Sequence, residues 1–153
     1  HRPHQRSKEN SMHTSARNVF HGKITAVHSG AVNDEVELAV EGGPSIVASI
    51  TQVSTRKLGL KPGVEALALI KASFVLLVEE AENSLLATRN QFPGVIGKVI
   101  PGAVNAEVLV DLPGGASIAA IVTMGSVEKM GLKPGKKITA IAKASQVILA
   151  VPQ

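Results

Sequence analysis

The sequence predicts a mainly β protein built as two small tandem lobes, each a compact barrel. Three observations predict it. The chain repeats itself at one fixed offset. Each copy alternates apolar and polar residues over short runs bounded by glycine turns. The hydrophobic share is 44%, yet there are only three Phe and no Trp or Tyr, so Val, Ile, Leu and Ala must build the core.

The repeat organises everything else. "GAVNDEV" (Gly30–Val36) returns as "GAVNAEV" (Gly102–Val108), and Ser15–Glu80 aligns with Ala87–Pro152 without a gap. Arg17-Asn18 matches Arg89-Asn90, Gly42-Gly43 matches Gly114-Gly115, and "GLKPG" and "KAS" also recur. Two copies are too few for a solenoid. The division expected is a tail at 1–13, a first lobe at 14–80, a linker at 81–86 and a second lobe at 87–153. A lobe of this size buries a modest share of its surface and is marginal alone, so lobe-on-lobe packing and oligomerisation are expected.

Within each copy the elements follow in order. "GKITAVHSG" reads as a strand. "VELAV" places Val36, Leu38 and Val40 on one face, and "VLVDL" does the same with Val108, Val110 and Leu112. "SIVASI" and "SIAAIV" are apolar and β-branched, with the Gly-Gly pairs as hairpin turns before them. A short helix fits "STRKLG", with Ser54 as candidate N-cap and Gly59 as stop; "SVEKMG" repeats it with Ser126 and Gly131. Pro62-Gly63 and Pro134-Gly135 turn the chain back into a strand, and "VEALALIKA" and "FVLLVE" supply two more. About five strands and one short helix per copy describe a barrel of OB-like type.

Composition excludes several functions. There is no Cys, hence no disulfide, zinc thiolate or thiol nucleophile. No apolar run approaches the roughly 18 residues of a membrane span, and the polar N-terminus lacks a signal peptide's apolar stretch. The cytoplasm is therefore the compartment expected. The net charge is +4, half of it in "HRPHQRSKENSMH", read as a disordered tail or vector-derived remnant with Met12 as candidate start. His21 and His28 match Pro93 and Ile100, so neither is a repeated catalyst. Glu35 and Glu107 recur, but one acid per lobe makes neither an acid–base pair nor a metal cluster. No catalytic residue and no direct ligand of a metal cation is assigned, and no organic cofactor is expected.

The repeated polar residues are instead donors. Arg17 and Arg89 are permanent cations. Lys71 and Lys143 sit in apolar segments, with Ser73 and Ser145 two residues on. Thr51 and Ser54, and Thr123 and Ser126, form a T-x-x-S where the short helix begins and where free N–H groups suit an anion. Guanidinium, ammonium, hydroxyl and N–H groups together suit a tetrahedral dianion. A protonated phosphate presents an O–H that such a site leaves unpaired, at about 1–3 kcal/mol; molybdate, tungstate and sulfate avoid that cost. Structural roles also fit: helix capping for Thr51 and Ser54, a snorkelling Lys71, a surface ion pair for Arg17.

"SARN" (Ser15–Asn18), "GAVNDEV", "TQVS", "LGLKPG" and "KAS", in that order and twice, resemble the Mop domain of molybdate-binding proteins, and the tandem resembles the di-Mop molbindins. The resemblance covers Ser15 to Gln153. It implies OB-like lobes that hold molybdate or tungstate between them in a cytoplasmic homotrimer. One class of site would use Ser15, Ala16 and Arg17 of one lobe with Thr51, Ser54, Lys71, Ala72 and Ser73 of its neighbour. The second copy would supply Thr88, Arg89, Thr123, Ser126, Lys143, Ala144 and Ser145. Here "SAR" becomes "ATR", which moves the hydroxyl by one residue to the other face of an extended segment. A second class, on a three-fold axis, would use the backbone of Gly30, Ala31, Val32 and Asn33, and of Gly102, Ala103, Val104 and Asn105. The function implied is storage of molybdate or tungstate without bond chemistry. The alternatives are a molybdate-sensing module docking on a regulator or transporter, and an OB-type nucleic-acid binder. The second lacks aromatics on which bases could stack. Neither a nucleic-acid nor a membrane partner is expected.

Overall fold

The structure is a computed structural model that describes residues 17–79 and 90–152. The first repeat runs β1 (Arg17–Ser29), β2 (Asn33–Val40), β3 (Ser45–Thr51), helix α1 (Gln52–Leu58), β4 (Glu65–Lys71), a 3-10 turn (Ala72–Phe74) and β5 (Leu76–Val78). The second runs β6 (Asn90–Pro101), β7 (Asn105–Asp111), β8 (Ser117–Thr123), helix α2 (Met124–Met130), β9 (Lys137–Ala142), a 3-10 turn (Ala144–Gln146) and β10 (Ile148–Ala150). The fold is mainly β, in two lobes.

Alternation places the core as expected. Val36, Leu38 and Val40 point inward from β2, and Val108 and Val110 from β7. Ile24, Ile46, Ile70, Ile96, Ile118 and Ile138 are the large, fully buried side chains around them. Phe20 and Phe92, the repeat-matched aromatics, are buried in the same cluster. Gly42 and Gly114 turn the chain at positive φ (67° and 97°), a region open to glycine because it lacks Cβ.

Two details differ from the sequence expectation. The helices begin three residues earlier than expected: the N-caps are Thr51 and Thr123, not Ser54 and Ser126. Each Thr is extended and its hydroxyl accepts the N–H three residues on, so the serine is a helical residue that receives the cap. Gly59 and Gly131 end the helices at φ 66° and 63°, as expected. "FVLLVE" also yields less strand than expected, because Phe74 is taken into the 3-10 turn and only Leu76–Val78 pair.

The sheets do not follow the repeats. One has the order β10-β4-β1-β2-β3, the other β5-β9-β6-β7-β8. The last strand of each repeat has crossed over: Ile148–Ala150 pair with Leu67–Leu69, and Leu76–Val78 pair with Thr139–Ile141. Each barrel is thus completed by the other copy.

Two asparagines lock this exchange. The Asn18 side chain donates to the Ala119 carbonyl (2.9 Å) and accepts the Ala119 N–H (2.7 Å). Asn90 does the same with both backbone groups of Val47, at 2.8 Å each. Each carboxamide imitates a peptide and extends the facing strand's ladder from a buried position. The glycine turns also meet: the Ala116 N–H donates to the Gly42 carbonyl at 2.8 Å. A Cβ on Gly114 would sit 2.8 Å from that oxygen, closer than real Cβ contacts allow.

Candidate functional site

Antiparallel pairing of β1 with β4 sets Arg17 opposite Lys71. The two cationic positions therefore stand opposite each other on paired strands of one repeat. The facing repeat contributes something else. The 3-10 turn after Lys71 lies against β8, the strand that leads to Thr123, and the turn after Lys143 lies against β3, which leads to Thr51. Ser15, Ala16, Thr88 and Arg89 lie outside the described residues, and Arg17 is described through its backbone.

Lys71, Ser73, Lys143 and Ser145 are exposed, and Ala72 is buried. The small alanine lets the turn sit close on the facing strand. Ser73 and Lys143 line one cleft of about 220 Å³ with Phe74, Leu76, Ile141 and Gln146. The two K-A-S turns thus meet across the joint between repeats. Lys71 Nζ lies 5.5 Å from the centre of the Phe74 ring, a cation–π distance; Gln146 stands at the matching place beside Lys143.

The T-x-x-S residues already bond each other. Thr51 Oγ1 accepts the Ser54 N–H at 3.1 Å and donates to Ser54 Oγ at 3.0 Å. Thr123 and Ser126 repeat this at 3.0 Å and 3.0 Å. At the helix starts the Ser54 and Ser126 N–H groups are taken by the caps, and those of Gln52 and Met124 by the Val32 and Val104 carbonyls. The threonine hydrogen is consumed too, which leaves the serine O–H free to donate outward.

The corners at Gly30–Asn33 and Gly102–Asn105 are exposed and built alike. The chain doubles back so tightly that a Cβ on Gly30 would lie 2.5 Å from the Asn33 carbonyl oxygen, and one on Gly102 2.6 Å from that of Asn105. The Val32 carbonyl accepts from the Gln52 N–H, and the Val104 carbonyl from the Met124 N–H. Among the described residues, the N–H groups of Ala31, Val32, Ala103 and Val104 take no part in the backbone bonding around the corners. Val32 and Val104 are 71% and 72% exposed, the most exposed large hydrophobic side chains among those described.

The next residue separates the corners. Asp34 is buried, and its Oδ1 has no hydrogen-bond partner among the described residues. Its counterpart, Ala106, is equally buried and carries no polar group.

His28 pairs with Glu37 on the exposed face of the sheet at 3.1 Å. A wider cleft of about 420 Å³ lies beside His21, Lys23, Glu41 and Glu65 and gathers none of the expected site residues. Among the described residues no three His, Asp or Glu side chains form a group that could hold a metal ion. No described helix is long and apolar enough to cross a membrane.

Sequence reasoning missed Asn18 and Asn90. Both were in view as partners of the repeated arginines. The signal was there: an amide repeated inside an apolar strand has to bond something when buried.

A pair of OB-like barrels, each closed by the other's last strand and carrying repeated hydroxyl and cationic groups at the joint, is the class of protein defined so far. The TOBE domain matches the chain twice, over residues 14–77 and 86–149, and the chain belongs to the TOBE-domain family. It is 45% identical over 142 residues to the molybdenum-pterin-binding protein MopA of Rhodobacter capsulatus, covering 93% of this chain and 54% of that protein. It is 41% identical over 143 residues to the molybdenum transport protein ModE of Herbaspirillum seropedicae, covering 94% and 53%. The chain thus spans about half the length of these relatives. A crystal structure of the cytoplasmic molybdate-binding protein ModG, with molybdate bound, superposes with a TM-score of 0.86 at 45% identity, covering 90% of this chain and 98% of that one.

Proposed function

We propose that the chain binds molybdate or tungstate reversibly in the cytoplasm, as a store or buffer, at sites between lobes of a homotrimer. The observation that carries this reading is the likeness to molybdate-bound ModG across nearly its whole chain. The donor chemistry agrees with it. Lys71 and Lys143 supply charge, Ser54 and Ser126 a free hydroxyl, and the corners at Gly30–Asn33 and Gly102–Asn105 unbonded N–H groups. Binding is an exchange of water for these fixed donors, with no bond made or broken. Closure between lobes removes competing water and strengthens each hydrogen bond. Anion binding then stabilises the oligomer by linkage.

Native mass spectrometry with molybdate, tungstate and sulfate tests the reading. A trimer that gains molybdate or tungstate at micromolar concentration, and no sulfate, is the expected result. No mass gain with either metal oxyanion would refute it. Arg17→Ala should empty one class of site and leave the corners filled; equal loss everywhere would contradict two classes.

A second reading, a molybdate-sensing module that docks on a regulator, is favoured by one observation. The DNA-binding transcriptional dual regulator ModE of Escherichia coli is 37% identical over 141 residues, and the chain covers 53% of it. Anion-dependent binding to a DNA-binding partner is the result that distinguishes this reading from storage.

A further inference from the structure

The two corners share their glycines, tight approach, free N–H groups and exposed valines. They differ in charge. We propose that Asp34 makes them unequal anion sites, the corner at Gly30–Asn33 holding an oxyanion dianion at least tenfold more weakly than that at Gly102–Asn105. The proposal rests on the anion-binding reading above.

Asp34 directly follows Asn33 and opens the inward-facing row of β2 that continues with Val36, Leu38 and Val40. Asp34 is 4% exposed, and its Oδ1 has no hydrogen-bond partner among the described residues. Among the described residues no donor is bonded to that oxygen, and burial keeps solvent from attenuating its field toward the corner. A dianion and a single carboxylate charge repel by more than a factor of ten in affinity at any separation up to about 10 Å, even at an effective dielectric of about 40. Salt screens buried charges less than exposed ones, so the asymmetry persists at physiological ionic strength. Ala106, 3% exposed on the same inward face of β7, imposes no such penalty.

One other difference is uncharged. The Gln52 side chain donates to the Gly30 carbonyl, while Met124 holds its place in the second repeat. Gln52→Met removes that difference and leaves the charge, so it serves as the control.

The experiment is native mass spectrometry of the full chain across a molybdate titration at constant pH and salt, with sulfate in parallel. Wild type should fill in steps, with a weak class of sites last. Asp34→Ala, which copies the second repeat, and Asp34→Asn, which keeps the shape, should each tighten that class at least tenfold. Gln52→Met should not. Ala106→Asp should create a further weak class; because it buries a new charge and can cost folding, the Asp34 variants decide. Unchanged filling in both Asp34 variants, with wild type binding molybdate normally, overturns the proposal alone. Absence of molybdate from wild type overturns the functional reading itself, so the two failures are distinguishable.

Discussion

Asn18 and Asn90 occupy matching places in the two repeats and make matching bonds, each clasping both backbone groups of one residue in the facing lobe. Asp34 and Ala106 also occupy matching places, equally buried, and share nothing chemically. The contrast separates two demands on a duplicated fold. At the joint each lobe needs the other, and a change in one asparagine leaves a specific pair of peptide groups unbonded across the interface. At the corner each copy's inward face is its own, so the copies are free to diverge.

The symmetry of the joint can be broken most severely at its exchanged strands. Ending the chain at Val147 removes β10, which pairs with β4 of the first repeat and buries Leu149. The expected loss is about 3 kcal/mol or more from the apolar burial and the ladder together. Hydrogen exchange should speed in β4 well before β9; equal loss of protection in both barrels would mean that the lobes unfold as one unit.

Asn90→Ala and Asn18→Ala come next. Each leaves one N–H and one C=O buried without a partner, at about 2–4 kcal/mol. Chemical denaturation should give the two variants losses within about 1 kcal/mol of each other. A clear inequality would show that the joint is not symmetric in energy.

Thr51→Ala and Thr123→Ala should each cost about 1 kcal/mol through loss of the cap. The smallest effect belongs to Phe74→Gln, which gives the first repeat the residue of the second and removes the contact with Lys71. A loss of about 0.5–1 kcal/mol is expected at so exposed a pair, measured as a shift in melting midpoint. A larger loss would assign the ring a packing role as well.

The strands and turns were legible because alternation and Gly-Gly pairs report local geometry. Val36, Leu38 and Val40 are buried on one face, and Gly42 and Gly114 turn at positive φ, as read. The helix start was misplaced by three residues because Thr51 and Ser54 are both good caps, and which one caps depends on where β3 ends. The strand exchange was not legible for a different reason. "LLV" and "ILA" present nearly the same apolar edge to barrels built of nearly the same sequence, so pairing within a repeat and pairing across repeats look alike in one dimension. The repeated donor residues stood out in the sequence, but where the fold sets them relative to one another within the chain did not. Only the β1–β4 register sets Arg17 beside Lys71, and only the crossover puts the K-A-S turns against the other repeat's T-x-x-S strands.

The exchange of β5 and β10 also changes what the covalent chain between the repeats is for. Because each barrel already contains a strand from both halves, cutting the chain between residues 79 and 90 would leave two fragments clasped through both sheets. The connection then serves as a tether that sets an effective concentration on the order of millimolar for the second half. In an intact chain the clasp forms at a rate independent of how dilute the protein is. Two halves made separately would have to find each other first.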